Sequence, residues 1–172
     1  MKALHVAPQA CLLVAALLLS ALPAAAQAQK KYTGPRPPKP DRPFLVHASK
    51  LIEVEQAEAQ QNNPKDEIVY TVPGATSSTR TPVPEPIFLF EGGRFNPERL
   101  SLFRMEVKGG QRTLALPNRP GGKRRDSARP IFILVTPLDG KLFRVEVNEA
   151  LDNGEYCLSP EGVNTTWCFT EY

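Results

Sequence analysis

Apolar and polar residues alternate with period two along much of the chain's second half, the spacing of strands with one buried face. Four strands are predicted in a row there: Ile131 to Thr136, Lys141 to Val147, Glu155 to Ser159 and Thr166 to Phe169. Asp139-Gly140 marks a type I′ hairpin turn, because Gly accepts positive φ freely and Asp better than most residues. Closing that hairpin sets Leu134 opposite Val145 and Phe132 opposite Val147. Phe143, Val145 and Val147 then share one face, with Arg144 and Glu146 on the other. A Gly162-Val163 loop closes the next hairpin and sets Cys157 opposite Cys168, Leu158 opposite Trp167 and Tyr156 opposite Phe169. The aromatic pairs fall on one face and both sulfurs on the other. Strict counting from a two-residue loop makes the cysteines a hydrogen-bonded pair, the class with the wider Cα spacing.

The first half reads similarly. Phe44 to Val46 is a short first strand. Ile52 and Val54 alternate with Glu53 and Glu55, which predicts a strand to about residue 57, whereas the Glu, Ala and Gln residues that follow favour helix. A loop through Asn62-Asn63-Pro64 leads to a strand over Ile68 to Val72, paired with its predecessor. Gly74 to Pro86 is a long Ser/Thr/Pro connection that Pro82, Pro84 and Pro86 bar from a central strand. Ile87 to Phe90 is a continuous apolar run, hence a buried strand. Asn96 caps one helical turn, with Pro97 at its first position. Leu100 to Val107 and Gln111 to Leu116 form a hairpin over Gly109-Gly110 that pairs Met105 with Leu114 and Phe103 with Leu116. Asn148 to Asn153 is a tight crossover ending in Asn153-Gly154. About 8–9 short strands with frequent turn signals predict an all-β fold, an antiparallel β-sandwich.

The ends of the chain add location. Lys2 and the apolar run Cys11 to Leu22, followed by Ala24-Ala25-Ala26 and Ala26-Gln27-Ala28, predict a secretory signal peptide over residues 1–28. Pro23 interrupts the run too early for a membrane span. Residues 29–43 form a basic, proline-rich linker, expected to be an extended spacer, and residues 44–172 the sandwich domain. Removing 28 of the 172 residues leaves 144, ample for one domain. Only Cys157 and Cys168 remain then, and an even pair in an exported chain reads as a disulfide. By the chain-entropy model it contributes on the order of 3 kcal/mol. The expected location is periplasmic or extracellular.

Candidate chemistry is sparse. The cleaved chain holds one histidine, His47, on the first strand, so neither a Ser-His-Asp nor a Cys-His arrangement has a base held by a third group. No CxxC or His cluster suggests a metal, and no cofactor motif is present. Glu53 and Glu55 alternate on what should be a wet strand face, and the Asn164-Thr165-Thr166 sequon sits at a hairpin tip. From Arg112 to Arg129 the local net charge is +5, while the cleaved chain carries 20 basic against 18 acidic residues. That basic loop, with Lys123, Arg124, Arg125 and Arg129, suits an anionic envelope component or another protein. No aromatic interleaves with it, so nucleic-acid stacking lacks a platform. In the Gly74 to Pro86 loop, the hydroxyls around Arg80, Thr81 among them, suit a carboxylate or a sugar.

Val72-Pro73-Gly74-Ala75 followed by Arg80-Thr81-Pro82, then Asn96-Pro97-Glu98-Arg99-Leu100 and Asn153-Gly154-Glu155-Tyr156 with Leu158, resembles small exported β-sandwich proteins of soil-type, acidobacterial bacteria with no characterised activity. The resemblance runs from roughly Phe44 to the C-terminus and implies location and fold only. The Gly-Glu-Tyr-x-Leu ending is similar to the last strands of transthyretin-like and immunoglobulin-like modules. The leading expectation is an exported, non-enzymatic binding or envelope-associated module that contacts its partner through the Arg80 loop or the basic loop. A structural subunit assembling by strand addition comes second, and a hydrolase third.

Overall fold

The alternation sorts the strands into two sheets, and in one of them two adjacent strands near the C-terminus are buried on both faces. The structure, a computed structural model, describes residues 31–64, 67–118 and 128–172. Its strands in chain order are β1 Pro43–His47, β2 Lys50–Glu53, β3 Glu55–Glu58, β4 Gln60–Asn62, β5 Glu67–Pro73, β6 Arg80–Thr81, β7 Ile87–Glu91, β8 Leu100–Lys108, β9 Gln111–Pro117, β10 Ile133–Asp139, β11 Leu142–Val147, β12 Gly154–Pro160 and β13 Thr165–Glu171. The first sheet has the order β10-β11-β7-β1-β2, and the second β3-β13-β12-β8-β9-β5-β4, with β6 beside β13. The neighbours run antiparallel, β6 and β13 excepted. The fold is therefore the expected all-β sandwich, with one sheet nearly closed.

Closure rests on the segment 50–62. It leaves the first sheet at Val54, which is buried, and enters the second as β3. It breaks again at Ala59, whose N–H turns to the Asn164 carbonyl at 2.8 Å. Below the break β3 pairs with β13, and above it β4 pairs with β5. The two end strands of the second sheet are thus successive pieces of one segment, and the sheet curls into a nearly closed barrel. Strand continues beyond residue 57, where a loop was expected. Ala57 and Ala59 turn inward, and Gln56, Glu58 and Gln60 turn to water, a period-two pattern that outweighs helix propensity once both edges find partners.

The sandwich core lies between the sheets. Trp167, fully buried, sits edge-on to Phe90 and Phe95 with ring centroids 5.6 Å away in both cases, and Phe88 packs on Phe169 at 5.2 Å. Cys157↔Cys168, Leu158↔Trp167 and Tyr156↔Phe169 pair as the sequence predicts. The disulfide is formed, but its Cα atoms are 4.1 Å apart. That is the close, non-hydrogen-bonded spacing, not the wider class the two-residue loop implies. Gly109 and Gly110, at φ 56° and 75°, close the β8–β9 hairpin in the expected register, with Glu106 opposite Thr113.

The β10–β11 hairpin departs by one residue. Val135 rather than Leu134 faces Val145, and Ile133 rather than Phe132 faces Val147. The turn is Gly140-Lys141, and a bulge between Pro137 and Asp139 absorbs an extra residue. Pro137 has no N–H for the ladder, so the irregularity falls beside it. A one-residue slip exchanges faces. Ile133 and Val135 pack on the core, while Phe132 and Leu134 are 57% and 47% exposed. Between β1 and β2 the chain turns at Ala48, φ 52°, without the Gly or Asn that announces such turns.

The proline-rich leader is tied to the first sheet. Lys39 pairs with Glu53 at 2.9 Å, Arg42 pairs with the same carboxylate, and Arg36 pairs with Asp139. Between those anchors Pro37 is buried. Asp41 accepts the N–H groups of Gly93, Arg94 and Phe95 at 2.8, 2.7 and 3.0 Å. Burial alone would raise its carboxyl, but those N–H groups and the Arg94 charge hold it below the ordinary 3.8. Asp41→Ala should therefore cost about 2 kcal/mol in urea unfolding near pH 7. Because the folded value lies below the unfolded one, that stability is present above pH 3.8 and lost as pH falls through the folded value. The variant should lack this part of the acid dependence.

Candidate functional site

Every second residue of the barrel strands points inside. On β9 these are Arg112, Leu114 and Leu116; on β5 Val72 and Tyr70; on β12 Glu155, Cys157 and Ser159. The inward residues form layers, and the two ends of the barrel differ.

One end is plugged by charge and hydroxyl. Arg112 is 1% exposed. Its Nη2 donates to Glu55 Oε1 at 2.6 Å and to the Pro73 carbonyl at 2.8 Å, and its Nε to the Gly74 carbonyl at 3.2 Å. Glu55 also accepts from the Ser77 hydroxyl at 2.9 Å and from the Ser78 N–H. Burial works to raise the Glu55 carboxyl, and the Arg112 guanidinium with the serine donors overcomes it, so the group titrates below its ordinary 4.5. Glu155 accepts the Ser77 N–H at 2.9 Å and the Thr170 hydroxyl at 2.8 Å. Glu53 and Glu55 therefore do not share a wet face: the chain corner at Val54 gives Glu53 to the leader's cations and Glu55 to the plug.

That plug accounts for the Gly74 to Pro86 loop. Ser77, Thr79 and Thr81 are buried. They face away from Arg80, which lies outside with its guanidinium 4.4 Å over the Tyr172 ring. The hydroxyls do not surround Arg80, and Thr81 spends its oxygen on the Val83 N–H at 3.1 Å. Arg129 is exposed and gripped by Glu149, whose carboxyl is pulled down to about 2 by that guanidinium and the Phe132 N–H. It is a paired cation. Lys123, Arg124 and Arg125 lie outside the described residues.

The other end is open. A cavity of about 340 Å³ descends between the strands from the β12–β13 loop, residues 161–164. Met105, Leu114, Val72 and Cys157 form its depth, so the disulfide lies at the floor. Tyr70, Phe103 and Leu116 form the walls. The space exists because small residues stand where a filled barrel has large ones: Ala59, Ser101, Ser159 and Thr166 all line it. The only charged group of the described lining is Glu161, at the rim, and it pairs with Arg99 at 2.7 Å.

The arrangement can enclose an apolar body and offer a few polar groups near the entrance, the usual build of a small-molecule pocket. Among the described residues no cluster of His, Cys, Asp and Glu could hold a metal ion. In comparison with known proteins, the chain matches no family model, no curated protein and no solved structure.

Of the residues singled out from the sequence as partner contacts, the described ones, Arg80, Thr81 and Arg129, do not line this cavity. One signal was available. The β8–β9 hairpin pairs Met105 with Leu114, and the β12–β13 hairpin puts sulfurs behind its aromatics. An open sandwich would leave that second apolar face in water.

Proposed function

We propose that this domain is an exported, non-enzymatic binding module that takes a small, mainly apolar molecule into the open end of its barrel. The observation that carries this reading is the cavity of about 340 Å³ with an apolar depth of Met105, Leu114 and Val72, closed beneath by the end of the barrel that the Arg112–Glu55 pair fills. A cavity of about 150 Å³ with apolar walls takes up benzene. This one suits roughly a dozen heavy atoms on the same measure. The disulfide fits an oxidising compartment outside the cytosol, and the signal-like N-terminus fits the same place.

Naphthalene, followed by its fluorescence, is a suitable probe for the domain spanning residues 29–172. It should bind saturably at one site. Ala59→Phe places a ring in the cavity mouth and should weaken binding by about tenfold or more, a change of at least ~1.4 kcal/mol, with little change in the unfolding midpoint. Equal binding by both proteins, or none by either, would remove this reading.

A further inference from the structure

Resting on that reading, we infer that the ligand is neutral and carries one hydrogen-bond donor, most simply a hydroxyl, which it gives to Ser159. Two features of the cavity lead there.

The first is proton counting. Thr166 Oγ1 stands 2.9 Å from the Leu158 carbonyl and donates its single proton to it. The Ser159 and Thr166 hydroxyls are 2.9 Å apart on adjacent strands. With the threonine proton already placed, Ser159 donates in that bond. The serine oxygen then has no proton left and keeps an accepting lone pair beside the cavity that both residues line. A ligand group meeting it must bring the proton. An ether or ester oxygen placed there would face lone pair against lone pair.

The second is charge. The described lining holds no cation, and its single carboxylate, Glu161, is 64% exposed and paired with Arg99. A carboxylate or phosphate drawn into the barrel would lose water without gaining a counter-charge from the described lining, a heavy cost above its apolar depth. An ammonium would meet only neutral side-chain acceptors inside the described lining, a poor return for the loss of its hydration. A hydroxyl loses little and is satisfied by Ser159. Since Ser159 lies one inward position beyond Cys157 on β12, the hydroxyl sits toward the mouth and the apolar body points down to Met105 and the disulfide.

Isothermal titration of the domain spanning residues 29–172 with four probes of matched length tests this: 1-decanol, methyl nonyl ether, decanoate and decylammonium. 1-Decanol should bind about tenfold more tightly than the ether, the effect of one buried hydrogen bond, and more tightly than either ion. Ser159→Ala should abolish the preference for the alcohol while leaving ether binding unchanged, which a merely structural role for Ser159 would not do. Equal affinity for alcohol and ether, or tightest binding of decanoate or decylammonium, would overturn the inference and leave the apolar-ligand reading standing. If no probe binds, both fall.

Discussion

Trp167→Ala should lower the stability of the domain by about 4 kcal/mol, measured by equilibrium urea unfolding. The side chain is fully buried at the centre of the sandwich core, between the edges of Phe90 and Phe95. Truncation removes the largest buried side chain and opens a void that strands from both sheets must line. Set against the 5–15 kcal/mol typical of a whole domain, the loss is severe. The indole N–H has no acceptor among the described residues. Trp167→Phe therefore gives up volume but also removes an unsatisfied donor, and it should cost well under half as much. A loss of less than about 1 kcal/mol for Trp167→Ala would mean that the two sheets do not meet on this residue.

Arg112→Ala should be comparably damaging, about 3 kcal/mol or more, through charge instead of volume. Its side chain is 2% exposed and that of its partner Glu55 19%. Removing the guanidinium leaves a carboxylate largely out of water and frees the Pro73 and Gly74 carbonyls. The damage should depend on pH. The depressed Glu55 titration contributes stability that is fully present above its ordinary 4.5 and is lost as pH falls through the folded value. In Arg112→Met this acid dependence should flatten, and adding Glu55→Gln should recover much of the stability by removing the stranded charge. A double variant no more stable than Arg112→Met alone would show that the plug does not act as a pair.

Residues that pair locally were legible. Gly109-Gly110 and the Cys157/Cys168 and Trp167 registers follow from counting across short turns, because apolar facing and turn geometry specify the same alignment. The slip at β10 escaped because the bulge beside Pro137 is decided by how the ladder closes, while Asp139-Gly140 is the stronger local signal. The cavity escaped for a larger reason. It exists only if segment 50–62 belongs to both sheets, and that depends on where Val54 and Ala59 break the strand. Neither residue advertises a break. The hydroxyl loop shows the same limit: Ser77, Thr79 and Thr81 alternate with Ser78 and Arg80, so the pattern was present. Which side faced inward waited on Glu55 and Glu155 being brought beneath it.

The most direct test uses two side chains that occur once each in residues 29–172, Met105 and Trp167. They belong to the second sheet but lie on its opposite faces, Met105 inside the barrel and Trp167 in the sandwich core. The methyl resonance of Met105 and the indole resonance of Trp167 can be followed together while naphthalene is added. The account predicts a saturable shift of the Met105 methyl with the Trp167 indole nearly unmoved. A shift of Trp167 alone, or of neither, would contradict a ligand site inside the barrel.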